Sequence, residues 1–352
     1  MLKTNNAQKS TIAPSITEFC SPDNESCSSR LLWVMAYIAT NGSHDILVTT
    51  TTGDGSWSTP VNTGQQSKAT PAITQDYYGC EELVIAFVAD NTSNDLMTIT
   101  STDGGATWSS ATEVGGPSSP QSSKRAPAIT DWPTDNAPSA ASDYGNALLM
   151  AYVANDSSNA LIVTQGVPND NCSAYTWQYT TVGTQSSKTA PAISTDNGRV
   201  NPVIAYVANN SSNDLEVTTS TNGVGTDWSP NTLVGSGQSS KTAPTLTECD
   251  DSICGDSSNL GQETIAYVAN NSSNDLLTTT STDDATDWSA STTVDGQSSQ
   301  AAPALPSSIA IDPLPMVYVA NNSKNHLLLT TSDDVGATWS ASSKIKDRPR
   351  GE

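Results

Sequence analysis

Gln185-Ser-Ser-Lys188-Thr-Ala-Pro191, then Val203-Ile-Ala-Tyr206-Val-Ala-Asn-Asn210-Ser-Ser-Asn213-Asp-Leu215 and a closing Trp228, form one copy of a pattern written six times along 352 residues. The copies align on Pro14, Pro71, Pro127, Pro191, Pro244 and Pro303. They align again on Tyr37, Phe87, Tyr152, Tyr206, Tyr267 and Tyr318, and end at Trp57, Trp108, Trp177, Trp228, Trp288 and Trp339. Self-similarity at a period of roughly 50–65 residues marks a repeat architecture, in which each unit buries its apolar face against the next. In the second copy, short runs at Pro71-Ala-Ile-Thr, Leu83 to Ala89, Leu96 to Thr100 and Ser109 to Val114 read as strands. Asn/Ser- and Gly-rich turns separate them. Four antiparallel strands per unit make a propeller blade. No helical periodicity is visible, so the expectation is an all-β, six-bladed β-propeller.

The propeller is expected to fill 8–346 as a single domain, with blades at 8–61, 62–118, 119–182, 183–235, 236–294 and 295–346. A tail at 1–7 precedes it and a charged tail at 347–352 follows. No strand exchange is evident at the seam. Closure is expected to rest on sheet packing and proximity of the termini, with a crossing terminal segment as the alternative.

A formal net charge of −22 argues against nucleic acid and anionic membrane surfaces, both of which need clustered Lys and Arg. No apolar run is long enough for a membrane-spanning helix. Six cysteines in loops fit disulfides in an oxidising compartment, hence an extracellular or cell-surface protein. Cys20 with Cys27, and Cys249 with Cys254, could each close a small loop. The start carries no hydrophobic signal region, which leaves the export route open. The two histidines, His44 and His326, sit in other loops and do not complete a four-ligand zinc set. No metal and no cofactor is expected.

Ser101-x-Asp103-x-Gly105-x-Thr107-Trp108 and Ser332-x-Asp334-x-Gly336-x-Thr338-Trp339 resemble the Asp-box, the repeat signature of sialidase-type propellers. The fifth copy keeps Ser281, Asp283 and Trp288 with Ala285 in place of Gly, the fourth has Asn222 for Asp, and the third keeps little beyond Trp177. The resemblance implies structural roles: Asp103, Asp283 and Asp334 would accept backbone hydrogen bonds within the hairpin. Trp108, Trp228, Trp288 and Trp339 would pack between sheets. The repeated Tyr/Phe of the second strand reads as inter-blade packing, with a sugar platform as the alternative.

Catalysis in that family needs three arginines clamping a carboxylate, a Tyr/Glu nucleophile pair and an acid/base Asp. This chain has five arginines, two of them (Arg348 and Arg350) in the tail, and Arg125 alone falls on the expected face. Lysine does not reproduce the bidentate guanidinium contact. Glycoside cleavage also needs two carboxyl groups in distinct fixed roles, which near-identical repeats do not single out. The chain is therefore not expected to be an enzyme.

Propeller geometry puts the second-to-third turn and the blade-to-blade connection on one face, so the NNSSND and QSSK segments should share it. Lys68, Lys124, Lys188 and Lys241 occupy one repeat position there, with Thr11 and Gln300 in the first and sixth copies. Pairing each lysine with Asp95, Asp214 or Asp275 is one reading, although Lys124 faces Ala160 and Asp45 faces Thr11 at those positions. The other reading is ligand contact. It would use these lysines with Asn91, Asn94, Asn159, Asn210, Asn213, Asn271, Asn274, Asn322 and Asn325, the amides meeting sugar hydroxyls and the amines a carboxylate or sulfate. On that reading, substituting Lys188 and Asn213 together should weaken glycan binding without lowering thermal stability. Near-identical blades suit multivalent recognition of surface glycans by a lectin-like, non-catalytic ring. A structural or adhesion module docking a protein partner is the alternative.

Overall fold

The computed structural model describes residues 7–20, 32–51, 56–77, 79–116, 118–132, 147–195, 201–221, 227–249, 262–283, 285–309 and 313–346. Blade one is the sheet β1 (Ser15–Phe19), β2 (Leu32–Ile38), β3 (Asp45–Thr50) and β4 (Val61–Gln66). Blade two is β5 (Ala72–Asp76), β6 (Glu82–Val88), β7 (Leu96–Ser101) and β8 (Thr112–Glu113). Blade three is β9 (Ala128–Trp132), β10 (Ala147–Val153), β11 (Ala160–Pro168) and β12 (Tyr175–Ser186). Blade four is β13 (Ala192–Ser194), β14 (Val203–Val207), β15 (Leu215–Thr219) and β16 (Thr232–Leu233). Blade five is β17 (Thr245–Cys249), β18 (Glu263–Val268), β19 (Asp275–Ser281) and β20 (Thr292–Ser298). A short strand, β21 (Ser308–Ile309), adds to its inner edge in parallel with β17. Blade six is β22 (Leu314–Val319), β23 (Leu327–Ser332) and β24 (Ser343–Lys344).

The molecule is a six-bladed β-propeller of antiparallel blades. Blade six departs from the four-strand expectation: its innermost element is reduced to a bridge between Ala304 and Val317. Pro303 and Pro306 flank that bridge and cannot donate to a ladder, so a longer strand does not form.

Each second strand is buried on both faces, which explains its unbroken apolar run. In β6, Leu83, Ile85 and Phe87 pack on blade one, with Val34, Ala36 and Val48. Val84, Ala86 and Val88 pack on blade three, with Leu148, Met150 and Tyr152. The core is thus a set of seams between blades rather than one central mass. A fully buried Leu, Ile or Phe at these seams contributes on the order of 1.5–3 kcal/mol.

The innermost strands line a small apolar channel of about 110 Å³, ringed by the six prolines that anchor the repeat. Proline at the start of an exposed edge strand removes a donor that would otherwise invite pairing. Hydroxyls of neighbouring blades meet other donors of these inner edges. Ile73 N–H donates to Ser15 Oγ at 2.9 Å and Leu305 N–H to Thr245 Oγ1 at 3.1 Å.

The seam is closed by chain exchange, and the expectation of closure without it is corrected. Ala7 bridges Lys346 and Lys9 bridges His326, both antiparallel. Gln8 N–H donates to Ile345 C=O at 3.0 Å and Gln8 C=O accepts from Leu327 N–H at 3.0 Å. The N-terminal Gln8-Lys9-Ser10 does for blade six what each Gln-x-Ser connection does for the blade before it. Leu96 N–H, for instance, donates to Gln121 C=O at 2.8 Å.

Candidate functional site

The repeated polar segments meet on one face, and the lysines there have specific partners. Lys188 Nζ donates to Asn210 C=O and to Asn213 Oδ1, both at 2.5 Å. Lys241 Nζ reaches Asn271 C=O at 3.2 Å and Asn274 Oδ1 at 2.7 Å. Lys68 binds Asn91 C=O and Asn94 Oδ1, and Lys124 binds Asp156 C=O and Asn159 Oδ1. Each lysine therefore folds onto the second-to-third turn of its own blade. The carboxylates Asp95, Asp214 and Asp275 instead accept from Asn91, Asn210 and Asn271 Nδ2, each at 2.8 Å.

The partner position explains the pattern. Asn94, Asn159, Asn213, Asn274 and Asn325 all have φ between 52° and 56°. Asn tolerates that left-handed conformation better than most residues, and its amide oxygen remains free to accept. In blade six Gln300 Nε2 takes the lysine's part, donating to Asn325 Oδ1 at 2.8 Å. In blade one both partners are exchanged together: Thr11 stands for Lys and His44 (φ 59°) for Asn. His44 Nδ1 contacts Asp90 Oδ2 of blade two at 2.8 Å. The covariation of Lys with this Asn was present in the repeat alignment, one residue away from the Asp position examined for it. The geometry ties both members of the Lys188–Asn213 pair into one turn, so substituting them is now expected to cost stability.

Open space on this face lies between blades. A cleft of about 600 Å³ separates blades four and five. Its lining includes Ser236, Gln238, Tyr267, Asn270, Asn271 and Trp288, and no charged side chain among the described residues. The Tyr267 hydroxyl donates to Gln238 Oε1 at 2.7 Å and lies 2.7 Å from Ser291 Oγ. The same Tyr–Gln pairing recurs as Tyr152–Gln121 at 2.6 Å and Tyr318–Gln297 at 2.9 Å. Burial raises the phenol pKa of Tyr152, Tyr267 and Tyr318, so these rings stay neutral and fixed. A second cleft, about 660 Å³, lies at the seam between blades six and one. It is lined by Tyr37, Asn41, Lys9, His326, Lys344 and Lys346 among others. Sequence reasoning missed both clefts, because each is assembled from two blades.

The opposite face carries the hairpins between the third and fourth strands. Asp103 Oδ1 accepts from Ser101 Oγ and Thr107 N–H, each at 2.8 Å, and Trp108 Nε1 donates to Gly105 C=O at 3.1 Å. Asp334 repeats this set, and Asp283 accepts from Ser281 Oγ at 3.0 Å and Asp287 N–H at 2.9 Å. Ala285 substitutes for Gly at φ 58°. Trp108, Trp228, Trp288 and Trp339 each pack on the core shared with the preceding blade.

Blades two and three are stapled on this face by Cys80–Cys172, a pairing across 92 residues that loop spacing did not suggest. Cys20 and Cys249 are disulfide-bonded; their expected partners, Cys27 and Cys254, lie outside the described residues. Beside the staple, the Tyr175 hydroxyl donates to Asp76 Oδ2 at 2.6 Å and Glu82 Oε1 at 3.0 Å. Burial pushes both carboxyls above their ordinary range, against the opposing pull of that hydroxyl. Among the described residues no group of three or more His, Cys, Asp or Glu is placed to hold a metal ion.

The fold is shared with solved propellers at low sequence identity. The fucose-specific lectin from Aleuria aurantia superposes with a TM-score of 0.64 and 14% identity, covering 99% of this chain and 100% of that one. AofleA from Arthrobotrys oligospora gives 0.63 and 10% identity, covering 97% of this chain and 88% of that one. The α-L-arabinofuranosidase Arb93A from Fusarium graminearum gives 0.53 and 14% identity over 76% and 79% of the two chains. No protein-family model matches the chain, and no curated protein matches it in sequence.

Proposed function

We propose that this chain is a non-catalytic, multivalent glycan-binding propeller that holds saccharides in the clefts between its blades. The observation that carries this reading is the uncharged cleft between blades four and five. A sugar presents a face of C–H groups and a rim of hydroxyls. The amide of Asn270 and the hydroxyl of Ser236 suit the second, while the cleft floor is formed by the edges of Trp288 and Tyr267, whose rings are otherwise buried in the seam. Of the amides singled out in the sequence, Asn271 lines this cleft while its side chain, like Asn91 and Asn210, holds its own turn.

Six similar junctions on one rigid ring turn weak individual sites into strong surface attachment by raising the effective ligand concentration. The fold shared with the Aleuria aurantia lectin, solved with Fucα1-6GlcNAc, supports a saccharide ligand. The Asp-box hairpins support a place among sialidase-like repeat propellers that lack the catalytic set. Bonded cysteines support an extracellular or cell-surface setting, where reducing agents do not open them.

Ser236→Trp places an indole in the mouth of the cleft at an exposed position. Titration of the intact chain against neutral oligosaccharides, fucosylated ones included, should show fewer sites per chain for this variant at unchanged melting temperature. Equal stoichiometry would remove the cleft from the proposal. Turnover of fluorogenic glycosides by the wild-type chain would replace the binding reading with an enzymatic one.

A further inference from the structure

The seam cleft differs in chemistry from its counterparts, and the repeat supplies an internal control. Four of its positions can be traced through every blade by their strand pairing. His326 stands where the other blades carry Asp45, Asp95, Ala160, Asp214 and Asp275. Lys9 replaces Gln66 or a serine, and Lys344 replaces Asn62, Glu113, Thr181, Leu233 or Thr293. Lys346 follows the buried Ile345 where Gly64, Gly115, Gly183, Gly235 and Asp295 occupy the same place at positive φ. Except for the neutral Ala160 of blade three against His326, every exchange removes negative charge or adds positive charge, in a chain of net charge −22.

No carboxylate lines this cleft among the described residues. Among the described residues Lys9, Lys344 and Lys346 make no ion pair, whereas the ring lysines are tied into their turns. His326 Nδ1 is buried and has no hydrogen-bond partner. Partial burial first, and then the neighbouring charges of Lys344, Lys9 and Lys324, hold the imidazole below the usual histidine range.

We propose that the seam cleft between blades six and one is a distinct site for an anionic saccharide, gripping a carboxylate or sulfate ester between Lys9, Lys344 and Lys346. The proposal rests on the reading of inter-blade clefts as saccharide sites and adds the charge of the ligand. Lysine suits this role because a compact ammonium acts as a point charge toward either anion.

The backbone at the Lys346 position also differs from the other junctions. At the other junctions the position of Lys346 lies in a turn whose positive φ favours Gly. At the seam there is no covalent turn between Lys346 and Ala7, and a long side chain is accommodated.

The test uses the intact chain and three probe pairs at matched ionic strength: galactose 6-sulfate against galactose, glucuronic acid against glucose, and inorganic sulfate against chloride. The charged sugars should bind about tenfold more tightly than their neutral partners, as charge-assisted contacts require. Lys344→Gln/Lys346→Gln should abolish that preference at unchanged melting temperature, and Lys344→Arg/Lys346→Arg should keep it. Ser236→Trp should leave it intact, since that substitution lies in the other cleft. Equal binding of charged and neutral sugars, or a preference that survives the double Gln variant, overturns the proposal. If neutral sugars bind but charge has no effect, the seam assignment fails while the lectin reading stands. If inorganic sulfate binds in a Lys-dependent way but no sugar does, the saccharide part of the proposal is overturned together with the lectin reading.

Discussion

The seam between blades six and one and the junction between blades two and three make the same packing contact by different means. At the seam the connection is replaced by three backbone hydrogen bonds made by Gln8 and Ser10 of the N-terminal segment. At the two–three junction the chain is continuous, and Cys80–Cys172 and the Asp76–Glu82–Tyr175 cluster are added on the opposite face. One junction is reinforced and closed, while the other carries lysines that have no ion pair among the described residues. The contrast teaches that a repeat can keep one fold at six junctions and still vary what each junction does.

The largest expected effect falls on the reinforced junction. Cys80→Ser/Cys172→Ser frees a loop of 92 residues, and chain entropy puts the loss at about 4–5 kcal/mol in denaturant unfolding. A loss under about 1 kcal/mol would mean that the staple restrains nothing the sheets do not already hold. Deleting residues 1–10 should cost about 3 kcal/mol, on the order of one for each backbone hydrogen bond lost across the seam. An unchanged midpoint would show that packing alone closes the ring.

Tyr175→Phe comes next, at about 2 kcal/mol near pH 7. Its pH dependence has a definite sign. Asp76 and Glu82 have raised pKa values in the folded state, so their burial penalty is absent below the unfolded carboxylate range. The penalty grows as pH rises through the folded values. Removing the hydroxyl raises those values further, so the loss should shrink as pH approaches 4. A loss of the same size at both pH values would show that the hydroxyl acts through packing rather than through charge.

The smallest effect separates holding a turn from holding a ligand. Lys188→Met should cost about 1 kcal/mol through its bonds to Asn210 and Asn213 and leave glycan affinity within twofold. A stability-neutral variant with weakened glycan binding would return the ring lysines to the binding face.

The pattern of strands, turns and tryptophans was legible because it is local. In blade two the observed strands fall within a residue or two of the apolar runs, except the fourth, which shrinks to Thr112–Glu113. The Asp103 hairpin was legible for the same reason, since Asp103 reaches only from Ser101 to Thr107. The lysine–asparagine clamp is present in the repeat alignment, but charge alone points to the carboxylate one residue on, whereas the turn offers an amide.

What the amino-acid order determined alone was the number of blades and the conformation of each hairpin, since these depend on contacts within a few residues and on apolar alternation. Only the tertiary structure decided which cysteines meet, how the ring closes and where its cavities lie. Each of those joins segments of different blades, and their approach is set by the geometry of the whole ring. The seam shows both at once: its cations are visible in the repeat, but closure is what gathers Lys9 with Lys344 and Lys346 around one cleft.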